Sequence, residues 1–492
     1  MTDWQRTHFC GELRPEHIGR AVTLNGWVHS VRDHGDLVFV DLRDRTGLVQ
    51  LRADRSQSEA VLTSLAAVKP EYVLSVKGVV SRRAEGMENP RLPTGEVEVG
   101  VEGVEVLNTC RQPLPFPLND ENQMSQVNEE LRLRYRYLDL RRPRMYETLR
   151  LRHRVVAGIR RFLDEHGFVE VETPIFTRST PEGARDYLVP YRLQPGLFYA
   201  LPQSPQQYKQ LLMVAGIERY YQIARCFRDE AQRSDRQPEF TQLDMEMSFV
   251  TQEDILSITE ALTIHIVETY SEKRLGSKPF TRLTYDEAMA RYGTDKPDLR
   301  YGLELTDVTE CLASSEFSVF RDTAAAGGAI KAIVYPGGSS LSRKALDDLG
   351  RTAREFGAKG LVQVSVVELG GSETEPVLHG PVAKYLDSDQ KRSLLQRCGA
   401  ATGDLVLLVA DTATNASAVL GRLRTLIADR LGLADRNVLH FCWITDFPLV
   451  EWNQEEGRWD PSHHPFTMPH PADLAFLESD PGRVRAQCYD IV

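Results

Sequence analysis

Two stretches of the chain place unlike polar groups at strand spacing. In YYQIARCFR the side chains of Gln222, Ala224, Cys226 and Arg228 fall on one side of an extended chain, and Glu230 continues that side. In FTQLDMEMSFV the same holds for Phe240, Gln242, Asp244, Glu246 and Ser248. An arginine, carboxylates, amides and an aromatic ring on one face are the inventory for a nucleotide. Arg228 could hold a phosphate through charge-assisted bonds of about 1.5–3 kcal/mol, and Phe240 could stack under a purine. A third tract, FYALPQSPQQYKQLLMVAG, reads as strand end, turn and helix start. It brings Ser204, Gln206 and Lys209 together, polar groups of a type that could grip a small zwitterion. The competing reading of the paired stretches is a solvated hairpin.

The elements that must position these groups follow from the same alternation. About ten polar residues join the two stretches, which predicts an antiparallel hairpin with a long, mobile tip. Leu243, Met245, Met247 and Phe249 form its apolar face, to be packed on a core. Upstream, residues 149–166 suit a helix stopped by Gly167, and FVEVET alternates until Pro174. The next segment, TPEGARDYLVP, carries the composition of a loop.

The first hundred or so residues read as short strands separated by turn signals, with Val22, Leu24, Val28, then Val38, Val40, Leu42, then Tyr72, Leu74, Val76, then Val97, Val99, Val101 in alternation. That pattern predicts a small barrel. On its second strand Val38, Val40 and Leu42 point inward, leaving Phe39 beside Asp41 on the outer face. Small barrels of the oligonucleotide-binding kind use exposed aromatics to stack unpaired bases, each worth about 1–3 kcal/mol, with Arg and Gln supplying edge contacts. Arg32 and Gln50 are the nearby candidates. The three prolines of RQPLPFPLND, residues 111–120, forbid helix and favour an extended linker. After it come eleven arginines between Arg132 and Arg161 against two acids, Asp139 and Glu147. That run reads either as a basic surface or as a solvated helix face.

Composition bounds the whole. At about 150 residues per domain, 492 residues predict about three domains. With 41% apolar and 26% charged residues the chain is of ordinary globular type, and no stretch approaches the roughly 18 apolar residues of a membrane span. The start lacks the apolar region of a signal peptide, and the seven cysteines show no CxxC spacing, so reduced thiols in a cytoplasm are expected. A net charge of -11 argues against indiscriminate coating of nucleic acid.

FRDE, a charged loop and RQPEFTQLD together resemble motif 2 of the class II aminoacyl-tRNA synthetases, and GFVEVETP resembles motif 1. The words TPEGARDYLVP, LPQSPQQYKQ, SDRQPEFTQLD and HHPFT narrow the resemblance to aspartyl-tRNA synthetases of the bacterial type, across essentially the whole chain. The resemblance implies an α+β multidomain fold. Its parts would be an anticodon-binding OB-type β-barrel (1–108), a hinge (109–140), an antiparallel-sheet catalytic domain (141–295, resumed at 429–492) and an inserted α+β domain (296–428). It also implies a cytoplasmic homodimer, with motif 1 and Pro174 at the interface. Beyond these words the family continues with a glycine-rich strand, bearing a second metal-binding acid and a clamping arginine, and with motif 3. The sequence given stops at Val492, so truncation before motif 3 is expected.

By the same resemblance the substrates are L-aspartate, ATP and tRNA(Asp), with tRNA(Asn) as a second acceptor in some members. Arg228 would bridge the substrate carboxylate and the α-phosphate. Asp229, Glu230, Gln237 and Phe240 would bind ATP, and Glu230 and Phe240 would hold adenine. Glu182, Ser204, Gln206 and Asp244 would receive the substrate ammonium, while Lys209 and His463 would face its side-chain carboxylate. Asp490 would stand near an ATP-bound Mg2+, as oxygen ligation by one or two acids plus phosphates allows. A zinc reading of His463 and His464 fails, because adjacent histidines cannot readily share one tetrahedral site. In the barrel Arg32, Phe39, Gln50 and Glu98 would read anticodon bases, with His34 in a loop that bears on tRNA(Asn) acceptance. Three alternatives stay open: an asparaginyl or lysyl synthetase, an RNA-binding protein without catalysis, and an ATP-dependent aspartate ligase acting on a small amine.

Overall fold

The computed structural model describes residues 4–118, 121–180, 182–231, 236–369, 375–464 and 466–492. Contacts divide the chain into two units, Met1–Arg154 and Val155–Val492.

In the first unit five strands close into a barrel: β1 (Ala21–Asp33), β2 (Leu37–Asp44), β3 (Gly47–Asp54), β4 (Val73–Arg82) and β5 (Val97–Asn108), in the order β1-β2-β3-β5-β4. All neighbours are antiparallel except β3 and β5. The period-two pattern decides the interior: Leu24, Val28, Val38, Val40, Leu42, Leu51, Leu74, Val76 and Val99 have no exposed surface. Helix α1 (Glu59–Ala66) is capped by Ser58, whose Oγ accepts from the Val61 amide at 3.3 Å, and it adds Leu62 and Leu65 to the same core.

The proline-rich segment has no helix through Leu118, as its prolines require, yet it does not run free. Gln112 Nε2 donates to the Pro70 carbonyl at 2.8 Å, and Arg141 Nη1 reaches Glu71 Oε2 at 2.7 Å. Glu71 also takes two bonds from the buried Arg43, at 2.8 and 2.9 Å. Nor is all of the arginine run a solvated face. The Asp139 carboxylate, fully buried, receives Arg132, Arg136 and Arg142, and an unpaired charge at that depth would be costly.

Helix α2 (Pro143–Glu165), whose residues from Val155 belong to the second unit, begins on proline, whose missing N–H is not needed in a first turn, and ends ahead of Gly167 at φ +78°. Its Ile159, Phe162 and Leu163 pack with Phe168 and Tyr221, and Leu243, Met245 and Met247 close the same cluster. The paired stretches are an antiparallel hairpin, β9 (Arg219–Phe227) and β10 (Glu239–Met247), in register from Glu239 against Phe227 to Met247 against Arg219. Before it lie β6 (Val169–Glu170), parallel to β9, and a small pair, β7 (Leu188–Pro190) with β8 (Phe198–Ala200). The predicted tip falls at 232–235, outside the described residues. Two expectations are corrected. FVEVET gives only a two-residue strand, and Phe249 does not join the core face. The strand ends at Met247, and Phe249 takes a left-handed φ of 58° with 96% of its surface exposed.

Farther on, an antiparallel sheet of five strands runs in the order Thr306–Asp307, Ala329–Tyr335, Leu405–Asp411, Val362–Glu368, Val377–His379. Apolar clusters cover both of its faces, one built on Phe320 and Leu394, the other on Leu349 and Leu420. This stretch thus carries its own core. The chain then forms Cys442–Thr445, parallel to Thr281–Thr284 and antiparallel to Tyr489–Ile491. Among the described residues, this three-stranded sheet and that of β10, β9 and β6 each hold one antiparallel and one parallel pair.

Candidate active site and nucleic-acid face

The hairpin register does what alternation demands. Phe240 lies opposite Cys226, Gln242 opposite Ala224 and Asp244 opposite Gln222, so the polar set shares one face. Along that face runs a cavity of about 800 Å³ whose walls include Glu182, Arg228, Glu230, Gln237, Phe240 and His463. Arg228 sits over the Phe240 ring, 5.1 Å from its centroid. Its backbone N–H is fixed by Pro238 O at 2.9 Å, while its Nε is buried without a hydrogen-bond partner. A guanidinium held beside a ring, with donor capacity unspent, suits an anionic group attached to a planar one. Glu230 is met by Arg236 at 3.3 Å. His463 leans edge-on against Phe447 at 4.8 Å.

A second cluster adjoins through Glu182, whose two carboxylate oxygens accept from Thr180 Oγ1 at 2.9 Å and Ser204 Oγ at 2.7 Å. Ser204 also accepts from the amide of Gln206 at 3.3 Å, at the start of helix α3 (Gln206–Val214). One turn on, Lys209 Nζ lies 2.8 Å from Asp244 Oδ1 and 3.4 Å from Glu246 Oε2. Asp244 is 7% exposed, and its Oδ2 has no hydrogen-bond partner. Burial raises the Asp244 pKa, and the Lys209 charge opposes the rise. The Tyr220 hydroxyl donates to Gln222 Oε1 at 2.9 Å, and burial, then the Asp244 charge, pushes its pKa far up. The Cys226 thiol is likewise pushed up to about 11 by burial, which makes it a poor nucleophile.

Not every expected residue lines the cavity. Lys209, Asp244, Ser204 and Gln206 stand outside its walls, as does Asp229, whose amide donates to Arg185 O at 3.0 Å. Asp490 lies on another strand, opposite Ile444. Among the described residues no group of three or more His, Cys, Asp or Glu stands together as a metal site. Sequence reasoning passed over Gln203, which is 1% exposed and binds the segment carrying Glu182. Its neighbours Ser204 and Gln206 drew attention as turn and helix-start residues, and nothing in the letters says that Gln203 is buried.

On the barrel the outer face is wired together. Arg32 donates to both oxygens of Asp41 at 2.8 and 3.0 Å and to Gln50 Oε1 at 3.1 Å; Gln50 Nε2 donates to Glu98 at 2.8 Å, and Arg52 closes on Glu98 at 2.8 Å. Phe39 stands between Arg32 and Arg52 in the strand register, with the His34 ring edge-on at 5.9 Å. Phe39 is half-buried rather than freely exposed, because these neighbours flank it. Paired donors and acceptors beside one ring present both a stacking surface and edge contacts.

A closed barrel with a polar, aromatic outer face, joined in sequence to a catalytic-type hairpin over a nucleotide-sized cavity, defines a class of nucleic-acid-handling enzyme. Residues 22–107 match the OB-fold nucleic acid binding domain and residues 128–492 the tRNA synthetases class II (D, K and N). The chain belongs to the class II tRNA synthetases. It is 54% identical over 491 residues to the aspartate–tRNA(Asp/Asn) ligase of Rubrobacter xylanophilus, covering 100% of this chain and 80% of that protein. It is 50% identical over 489 residues to the aspartate–tRNA ligase of Geobacillus kaustophilus, covering 99% and 81%. The aspartyl tRNA synthetase from Entamoeba histolytica, 18% identical with a TM-score of 0.54, covers 100% of this chain and 76% of that one, and shares the fold. No helix among the described residues is long and apolar enough to cross a membrane.

Proposed function

We propose that this chain activates L-aspartate with ATP and transfers the aspartyl group to the 3′ end of tRNA(Asp). The observation that carries the reading is the cavity that gathers Arg228, Glu230, Gln237 and Phe240 beside Glu182, in a chain half-identical to aspartate–tRNA ligases. In the first step a carboxylate oxygen of aspartate attacks the α-phosphorus of ATP and pyrophosphate leaves. In the second, a ribose hydroxyl of the tRNA terminus attacks the adenylate carbonyl, and AMP leaves with the bonding pair. Neither step calls for a protein nucleophile, so the work of the site is positioning and charge stabilisation. Arg228 holds the aspartate carboxylate and the α-phosphate together. Phe240 and Glu230 hold the adenine, and Gln237 and Asp229 complete the ATP contacts.

Aspartate carries a cation and an anion, and the Lys209–Asp244 pair offers one of each at 2.8 Å. The substrate enters by exchanging partners: Asp244, with Glu182, Ser204 and Gln206, takes the ammonium, while Lys209 and His463 take the side-chain carboxylate. Asparagine would leave the Lys209 charge without its new partner, and a site built around such a bond rejects the analogue lacking it. Mg2+ fits a lesser part here. Asp490 can serve as the one carboxylate beside substrate phosphates that Mg2+ commonly uses, and the ion would supply neutralisation of phosphate charge.

The test is amino-acid-dependent exchange of labelled pyrophosphate into ATP, with aspartate and asparagine side by side. Exchange with aspartate alone is the expected result; exchange with asparagine, or with neither, overturns the reading. Charging of tRNA(Asn) is the second reading, favoured by relatives named for both tRNAs. Transcripts of the two tRNAs, assayed together, decide it.

The barrel face is assigned to the anticodon, through Arg32, Phe39, Gln50 and Glu98, with His34 beside them. Phe39→Ala is expected to lower kcat/KM for tRNA about 10- to 100-fold, the worth of one stacked base, with pyrophosphate exchange unchanged. Loss of exchange in that variant would contradict the division of labour. A homodimer is proposed from the apolar surface near Pro174: Phe176, Leu188, Leu193, Leu197 and Phe198 each expose more than half of their area. Sedimentation should give twice the mass of the chain. A cytoplasmic site of action accords with seven cysteines free of disulfides.

A further inference from the structure

We propose that Gln203 is a positioning residue that locks the Glu182 segment to the strand end bearing Arg228. The inference rests on the reading of Glu182 and Arg228 as substrate-binding groups. The Gln203 amide is almost wholly buried and pairs with one residue as a neighbouring strand would: the Ala184 N–H donates to Gln203 Oε1 at 3.0 Å, and Gln203 Nε2 donates to Ala184 O at 2.8 Å. The second Nε2 proton reaches Asp186. On one side of this clamp the preceding residue, Pro202, accepts from the Phe227 amide at 2.9 Å; on the other, Arg185 O accepts from the Asp229 amide at 3.0 Å. Both chain neighbours of Arg228 are thereby tied, one directly to the Gln203 segment and the other to the Glu182 segment.

Gln203 closes that ring. Without it the segment 182–186 would keep its bond to Asp229 and the Glu182–Ser204 contact but lose its backbone-like pairing to Gln203, so residues 183–186 would be held less tightly. A one-ångström displacement of a binding carboxylate is enough to matter. Glu182 also turns on Gly183, whose φ of +97° suits a hinge, so the segment needs an outside anchor to hold one position.

Gln203→Met keeps the volume and removes both donors and the acceptor. In the full chain the KM for aspartate in pyrophosphate exchange is expected to rise about tenfold, the ordinary worth of an orienting hydrogen bond. The KM for ATP, which rests chiefly on the Phe240 and Glu230 contacts outside the clamp, should rise by less than about threefold even with Asp229 loosened, so the ratio of the two KM values still changes. A merely structural glutamine would lower the melting temperature and leave the ratio of the two KM values alone, and that result overturns the proposal. Gln203→Glu adds a second check. Its carboxylate cannot donate to Ala184 O and would face Asp186, but its protonated form donates again. The KM for aspartate in this variant should therefore improve as pH is lowered through the raised pKa of a buried carboxyl, and a flat profile counts against the proposal. Hydrogen exchange separates failure of this inference from failure of the functional reading. Should the unsubstituted chain not activate aspartate, the function falls, yet the Asp229 amide still reports the clamp. Faster exchange there in Gln203→Met, with the amides in the middle of β9 and β10 unchanged, supports the clamp; unchanged exchange at Asp229 overturns it.

Discussion

Arg228→Ala is expected to lower aspartate-dependent pyrophosphate exchange by about 10²–10³-fold or more, the cost of removing a preorganised donor aimed at developing charge. The geometry gives the reason. The side chain lies over Phe240 at 5.1 Å, its backbone is pinned by Pro238, and its Nε has no protein partner to lose. The guanidinium is thus held in advance of the substrate, and water entering beside an alanine cannot replace it in that role. Arg228→Lys should recover only part of the activity, since a single ammonium cannot span a carboxylate and a phosphate as a planar fork does. Transfer from preformed aspartyl-adenylate to tRNA should suffer less than adenylate formation, because the α-phosphate has already been attacked. Retention of exchange within tenfold of the parent would remove Arg228 from the centre of the mechanism.

Lys209→Met carries the second large effect. Breaking a buried ion pair by removing one partner costs about 3–5 kcal/mol when the remaining charge persists. Here Asp244 can escape part of that cost by taking a proton. Burial already raises its pKa and Lys209 is the chief opposing influence, so without the lysine the pKa must rise further. A carboxyl whose folded pKa exceeds its unfolded value binds protons more tightly when folded. The variant should therefore lose stability as pH rises from the ordinary carboxylate range through the raised folded pKa, and regain it on acidification. The parent should show the same sign with a smaller slope. Urea midpoints across that range measure the difference, and parallel profiles would show that Lys209 does not govern Asp244. In the same variant the preference for aspartate over asparagine should collapse, as the lysine charge that tells a carboxylate from an amide is gone. A preserved preference would assign the discrimination to His463 or to another group.

These two sites differ in how far they could be read in advance. Phe240, Gln242 and Asp244 on one face, and the inward Val38, Val40 and Leu42 of the barrel, are consequences of a two-residue repeat that any extended chain obeys. They needed no knowledge of partners. Phe249 shows the limit: the alternation extends to it, but a left-handed turn after Met247 expels the ring into solvent. Where a strand stops depends on what the chain must do next, which periodicity does not encode. The same holds for FVEVET, where only Val169 and Glu170 find a neighbour in β9.

The sequence by itself determined the barrel, the hairpin, its polar face and, through long words such as TPEGARDYLVP and LPQSPQQYKQ, the family. All of these rest on local repeat or on contiguous residues. Only the tertiary structure decided that Lys209 pairs with Asp244, thirty-five positions away, that Glu71 joins Arg43 to Arg141, and that Gln203 is a clamp rather than a turn residue. Each is a contact between distant segments whose strength comes from burial, and burial belongs to the folded chain as a whole.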